Sequence, residues 1–215
     1  LTFKANHYIL LKNVMCSKEK IYAFIVVVCV PLIFAGDAAF SNLKEKILEW
    51  KYFSGSFEVI GENNEKTGKG NFFFNRSKFK LEAETGKVSE IFLCDGAHII
   101  HYVKGDSFAT RTNWAYPGWV FPDSFLSYAE RVLDITCEKS QKGYKLTLSS
   151  RPTEPAIFLK NLSIYFNRAG LPEELKIEGS ESGIKRVRFN KVSTGKFEDS
   201  VFTFSAPVRI EEGER

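Results

Sequence analysis

The sequence is poor in the residues that perform chemistry. Of 215 residues, three are His and one is Met. Beyond residue 40 only His98 and His101 remain, so general-base catalysis has few candidates. That stretch also lacks a Gly-x-Ser-x-Gly elbow and a glycine-rich phosphate loop, which argues against a serine hydrolase of that type and a P-loop nucleotide enzyme. Excess charge of one sign is missing as well. Lys plus Arg number 30 against 26 Asp plus Glu, a net of +4, so no nucleic-acid footprint stands out. With 44% hydrophobic and 26% charged residues the chain is too apolar for disorder, and its length fits one domain of ordinary size.

The longest apolar run is short. It extends over residues 21–35, broken only by Pro31, and its 15 residues fall below the ~20 needed to cross a bilayer. Lys18, Glu19 and Lys20 precede it, and Gly36, Asp37, Ala38 and Ala39 follow with small residues. That order reads as an export signal cut near Ala38, with an uncleaved anchor as the alternative. Met15 lies just upstream, so residues 1–14 read as an extension, and residues 1–39 are set aside from the fold. Residues 40–215 are expected to form the one domain. Cys29 lies inside the run, not after it, so no lipid anchor of the chain's own is expected. Cys94 and Cys137 remain in a compartment that permits a disulfide, and pairing or packing as small hydrophobes are both open.

What the sequence has in quantity is aromatic: 20 Phe, 8 Tyr and 3 Trp. Phe40, Leu43, Ile47, Leu48 and Trp50 follow helical spacing, with Asp37 or Ser41 as a cap. After Tyr52 come short β-rich runs at 53–61, 68–75, 78–84, 89–94, 98–104 and 107–113. Their connections are too short for βαβ crossovers, so the runs are expected to pair as antiparallel hairpins. A second amphipathic helix is expected within 114–134, from Phe125, Leu126, Ala129, Val132 and Leu133. Strands resume at 135–140, 144–150, 158–167, 175–179, 185–192 and 201–204. The fold class is therefore α+β, mostly antiparallel: a half-open barrel of about ten to eleven strands, curled because so long a sheet curls, with helices lying on its concave face.

Cys94, Asp95, His98 and His101 form the densest set of possible metal ligands. His98 and His101 are three apart on a strand and face opposite sides, while Asp95-Gly96 has the composition of a hairpin turn, so a plain hairpin is expected and no metal. Neither catalytic residues nor a cofactor are assigned. Phe72, Phe73 and Phe74 in succession put apolar surface on both faces of one strand, more than a one-sided core requires.

Several short motifs occur in a familiar order: Asp37-Ala38-Ala39-Phe40-Ser41-Asn42-Leu43-Lys44, Phe53-Ser54-Gly55-Ser56-Phe57, Gly68-x-Gly70, Asn75-Arg76 before Phe79, Cys94-Asp95-Gly96, and Val201-Phe202-Thr203-Phe204-Ser205-Ala206-Pro207. From about Asp37 to Pro207 the chain resembles the LolA family of periplasmic outer-membrane lipoprotein carriers. The resemblance implies a lidded, incomplete barrel around an apolar cavity. It also implies a monomer that receives acylated lipoproteins from an inner-membrane ABC transporter and passes them to an outer-membrane receptor where one is present. Phe57, Phe72, Phe74, Phe92, Phe121 and Phe125 are the expected cavity residues, and Arg76 matches an arginine that latches the lid. Ser77 stands where the family usually has Pro. A sensor of similar fold, or a lipid carrier outside lipoprotein sorting, is the alternative. A receptor of this fold would need a lipid-anchoring Cys.

Overall fold

Alternation of buried and exposed side chains governs the architecture. The computed structural model describes residues 38–75, 78–113, 133–150, 161–178 and 184–213. Helix α1 (Ala38–Leu48) leads into β1 (Phe53–Gly61), β2 (Lys66–Asn75), β3 (Lys78–Thr85), β4 (Val88–Cys94), β5 (His98–Val103) and β6 (Phe108–Asn113). After them come β7 (Leu133–Lys139), β8 (Gly143–Ser150), β9 (Asn161–Asn167), β10 (Pro172–Glu178) and β11 (Ile184–Ser193). A 3-10 turn (Asp199–Phe202) and β12 (Arg209–Glu212) complete the order. The strands make one open sheet, β12-β6-β5-β4-β3-β2-β1-β11-β10-β9-β8-β7. It consists of two antiparallel meanders, β1–β6 and β7–β11, joined where β1 pairs with β11, Phe57 opposite Phe189 and Val59 opposite Val187. Among the described strands only β12 runs parallel to its neighbour, β6.

One face of the sheet carries α1, and we call it the inner face. The helix buries Phe40, Leu43 and Ile47, the i, i+3, i+7 stripe, and lies against β7 and β8. Those residues join a single cluster with Phe53, Phe57, Phe72, Phe74, Leu81, Leu146, Ile164, Leu175 and Val187, so one core spans both meanders. Two glycines let the rings lie close. Gly55 is opposite Phe72 and Gly70 opposite Phe57. A Cβ at Gly55 would stand 2.8 Å from the Phe72 ring, and one at Gly70 would stand 2.5 Å from the Phe57 ring. The Phe-Ser-Gly-Ser-Phe and Gly-x-Gly motifs thus place each ring over a bare stretch of the neighbouring strand.

The outer face divides in two. Over β1–β3 and β10–β11 it is charged, with Lys66–Glu58, Lys69–Glu84 and Arg186–Glu174 pairs across neighbouring strands. Over β4–β6 it carries an apolar group of Ile91, Leu93, Ile100, Tyr102 and Ala109, and the segment after β11 crosses β2 and β3 to reach it. Phe197 packs edge-on to Phe73 at 5.7 Å, Phe202 is buried beneath Lys78, and Phe204 meets Tyr102 at 5.7 Å. Phe204 and Val208 close a second small core around Leu93, Ile100 and Ala109. The chain then adds β12 alongside β6, held also by Arg111–Glu212.

Four expectations are corrected. Among the described residues the sheet has twelve strands, where about ten to eleven are expected. Residues 201–204 are not a strand: the turn Asp199–Phe202 leads into this segment, which crosses the sheet instead of pairing with it. Its alternation of Phe202 and Phe204 persists because both rings must reach the outer face. Leu133 and Asp134 belong to β7, not to the end of a helix. The rest of the expected second helix lies outside the described residues. The turn after β4 centres on Gly96-Ala97, one residue later than expected, with Asp95 as its first residue. Cys94 and Cys137 are both buried thiols, packed in the inner core. Among the described residues no helix is long and apolar enough to cross a membrane.

Candidate functional site

Register across β3–β6 lays the inner face out as a grid. Ala83, Glu90 and Val103 form one row, Leu81, Phe92, His101 and Thr110 the next, and Phe79, Cys94, Ile99 and Thr112 the third. Along β4, Val88 precedes Glu90 on the same face; along β6, Phe108 precedes Thr110. Toward β3 the grid is sealed. Toward β6 it opens: Phe92, Ile99 and Val103 are half-buried, and Val88 and Phe108 are 36% and 40% exposed. The sheet therefore presents apolar side chains to solvent on the same face that carries its core. Such surface favours contact with another apolar body.

One charge interrupts it. Glu90 is 7% exposed and is the buried charged residue among those described. His101 Nε2 lies 3.3 Å from Glu90 Oε2, and because a carboxylate only accepts, the proton belongs on Nε2. The two are diagonal neighbours on adjacent strands. The imidazole also stacks on Phe92, centroids 4.2 Å apart and planes 8° from parallel. Ring and carboxylate are thereby held in one orientation among apolar neighbours.

His98 takes no part. It lies on the opposite face from His101, as strand alternation requires, beside Asp95 at 3.4 Å. Asp95 Oδ1 accepts from the backbone N–H groups of Ala97 and His98, each at 2.8 Å. Partial burial works against ionisation of Asp95, but these N–H donors and the His98 ring outweigh it and hold the carboxyl below its usual value. Burial pushes the Cys94 thiol up to about 11, which disfavours its thiolate form at neutral pH.

Of the expected cavity residues, Phe57, Phe72 and Phe74 are 1%, 0% and 3% exposed. Phe72 lies 4.9 Å from Phe53 and 5.9 Å from Phe189, ring to ring. Phe92 is half-buried within the open part of the grid. Phe121, Phe125 and Arg76 lie outside the described residues. A separate outer hollow of about 520 Å³ is lined by Tyr52, Lys196, Phe197, Glu198 and Asp199. An acyl chain there would have to desolvate three charges, which makes it a poor match for one.

Glu90, Val103 and Phe108 were not singled out by the sequence pattern. In 88–94 both alternating sets are rich in apolar residues, so the inward set is ambiguous until pairing fixes it. The available signal was Glu90 itself, a charge in step with Val88, Phe92 and Cys94.

No family model matches the chain, and no curated protein matches it. Among solved structures, an uncharacterized conserved protein from Thermus thermophilus superposes with a TM-score of 0.55 at 8% identity, covering 80% of this chain and 98% of that one. The two share a fold. The LolA superfamily protein NE2245 from Nitrosomonas europaea aligns over 78% of this chain and 99% of its own, with 8% identity and a TM-score of 0.38.

Proposed function

We propose that this chain is an exported carrier that shields the acyl chains of lipoproteins in the periplasm. In this reading it accepts them from an inner-membrane ABC transporter and delivers them to the outer membrane, without catalysing a reaction. The observation that carries the proposal is the open, apolar part of the inner face over β4–β6. The order of short motifs along the chain, which resembles the LolA family, supports the same reading.

The energetics fit a carrier better than a store. At ~0.8 kcal/mol per buried CH₂, a fully enclosed chain of ~16 carbons would gain roughly 12 kcal/mol, too much for easy release. A face that leaves Phe92 and Val103 half-buried covers only part of such a chain, so its hold is weaker and handover is feasible. The deep rings Phe57, Phe72 and Phe74 give the face its rigidity.

Depletion in the native cell followed by fractionation of the envelope tests the role. Lipoproteins retained at the inner membrane are the expected result. Normal sorting would overturn the lipoprotein assignment, and acyl-chain binding by the purified protein would then point to a lipid carrier outside sorting.

A further inference from the structure

A carboxylate on an apolar face needs a reason. Replacing it by an apolar residue would remove a desolvation cost and complete the core, so packing alone does not account for Glu90. Its hydrogen-bonding partner among the described residues is His101, which engages one oxygen. An ionised carboxylate has about four acceptor sites, and one imidazole N–H leaves most of that capacity unused. Ala83 and Val103, directly opposite on the flanking strands, and Val88 and Phe92, two residues away on β4, bring no donor. Stacking on Phe92 fixes the His101 ring, and the ring in turn fixes the carboxylate. This is a preset acceptor, bordered on its open side by the half-buried Val103 and the exposed Phe108.

We infer that the open inner face of β4–β6 binds a lipid that carries a primary ammonium at its polar end, the ammonium meeting Glu90 and the alkyl chain lying along Phe92, Val103 and Phe108. An ammonium has three N–H donors and a full positive charge, the complement of the unused acceptors. A trimethylammonium group has the charge but no donor. A neutral glycerol head has donors but no charge. The inference rests on the proposed acyl-binding role and adds to it the chemistry of the head. Both the ethanolamine head of a phospholipid and the free amine of a diacylated cysteine carry this group.

The test is displacement of a fluorescent fatty-acid probe from the full chain. The first series is lysophospholipids of one chain length with ethanolamine, choline or glycerol heads. The second is a diacylglyceryl-cysteine dipeptide with its amine free or acetylated. Charge-assisted hydrogen bonding predicts that free-amine ligands displace the probe about tenfold to a hundredfold more effectively than their partners. The stronger series identifies the natural source. Glu90→Gln should abolish the preference for free-amine ligands over their partners. Should that variant fail to fold, carbodiimide coupling of hexadecylamine to the unaltered protein should place the new amide on Glu90.

Displacement without head preference, a preference that survives Glu90→Gln, or coupling spread over surface carboxylates at the expense of Glu90 would overturn the ammonium site and leave the carrier reading standing. Failure of every ligand to displace the probe, or of the probe to bind, would overturn both.

Discussion

At Asp95 a single carboxylate does the work of a turn. It satisfies two backbone N–H groups that the hairpin leaves without a strand partner, and Gly96, at φ 101°, supplies a conformation that other residues resist. Because its folded carboxyl is held low, its ionised form stabilises the protein above the unfolded carboxyl value near ~3.9. That contribution is lost as pH falls through the folded value. Asp95→Asn keeps an acceptor oxygen but removes the charge. The variant should be less stable than the parent at neutral pH and approach it as pH falls through the folded carboxyl's lowered value, as read by urea midpoints across the pH range. A constant offset between the two would show that the charge is not what Asp95 contributes. The sequence shows Asp-Gly plainly, and the hairpin follows from it. It does not show that the turn centres one residue later, because that depends on which of two hydrogen-bonding registers the neighbouring strands impose.

Between β11 and β12 the chain is neither strand nor free loop, and the Phe content explains why. Phe72 and Phe74 enter the inner core, while Phe73 between them faces outward and is covered by Phe197. The surplus of aromatic residues is thus shared between two faces: Phe197, Phe202 and Phe204 pack on the side opposite the inner core. Sequence periodicity located nearly every strand, since hairpins advertise themselves by local turns. It misread 201–204 because Phe-x-Phe spacing is the same whether a segment lies in a sheet or across one. It also passed over Arg209–Glu212, a charged stretch whose pairing with β6 is nonlocal. Phe202→Ala removes a buried ring from this covering segment and should cost about 3 kcal/mol in denaturant unfolding. Amide protons of β12 should lose protection in the same variant, since among the described residues β12 is held through β6 and the segment leading to it. Retained protection there would mean that β12 stands independently.

Across the molecule, the junction of β1 with β11 decides whether two meanders behave as one body. Phe57 faces Phe189 there, Phe72 lies 5.9 Å from Phe189, and the core continues without interruption from Phe79 in β3 to Ile135 in β7. Cooperative unfolding follows when no plane through the core separates two self-sufficient halves. The two thiols provide the measurement, one in each meander: Cys94 in β4 and Cys137 in β7, both buried. Burial and a thiol value of about 11 for Cys94 keep it from alkylating agents while the fold is intact. In rising urea both cysteines should therefore become labelled at one midpoint, coincident with loss of strand signal in circular dichroism. Labelling of Cys137 at a lower concentration than Cys94 would mean that the edge strand β7 opens separately despite the helix packed on it. A sheet that opened in halves would also expose its inner face well before unfolding, with no need for the partial exposure seen over β4–β6. A single midpoint would leave the surface already open in the folded state, the stretch from Phe92 to Phe108, as the face on which the proposed ligand is met.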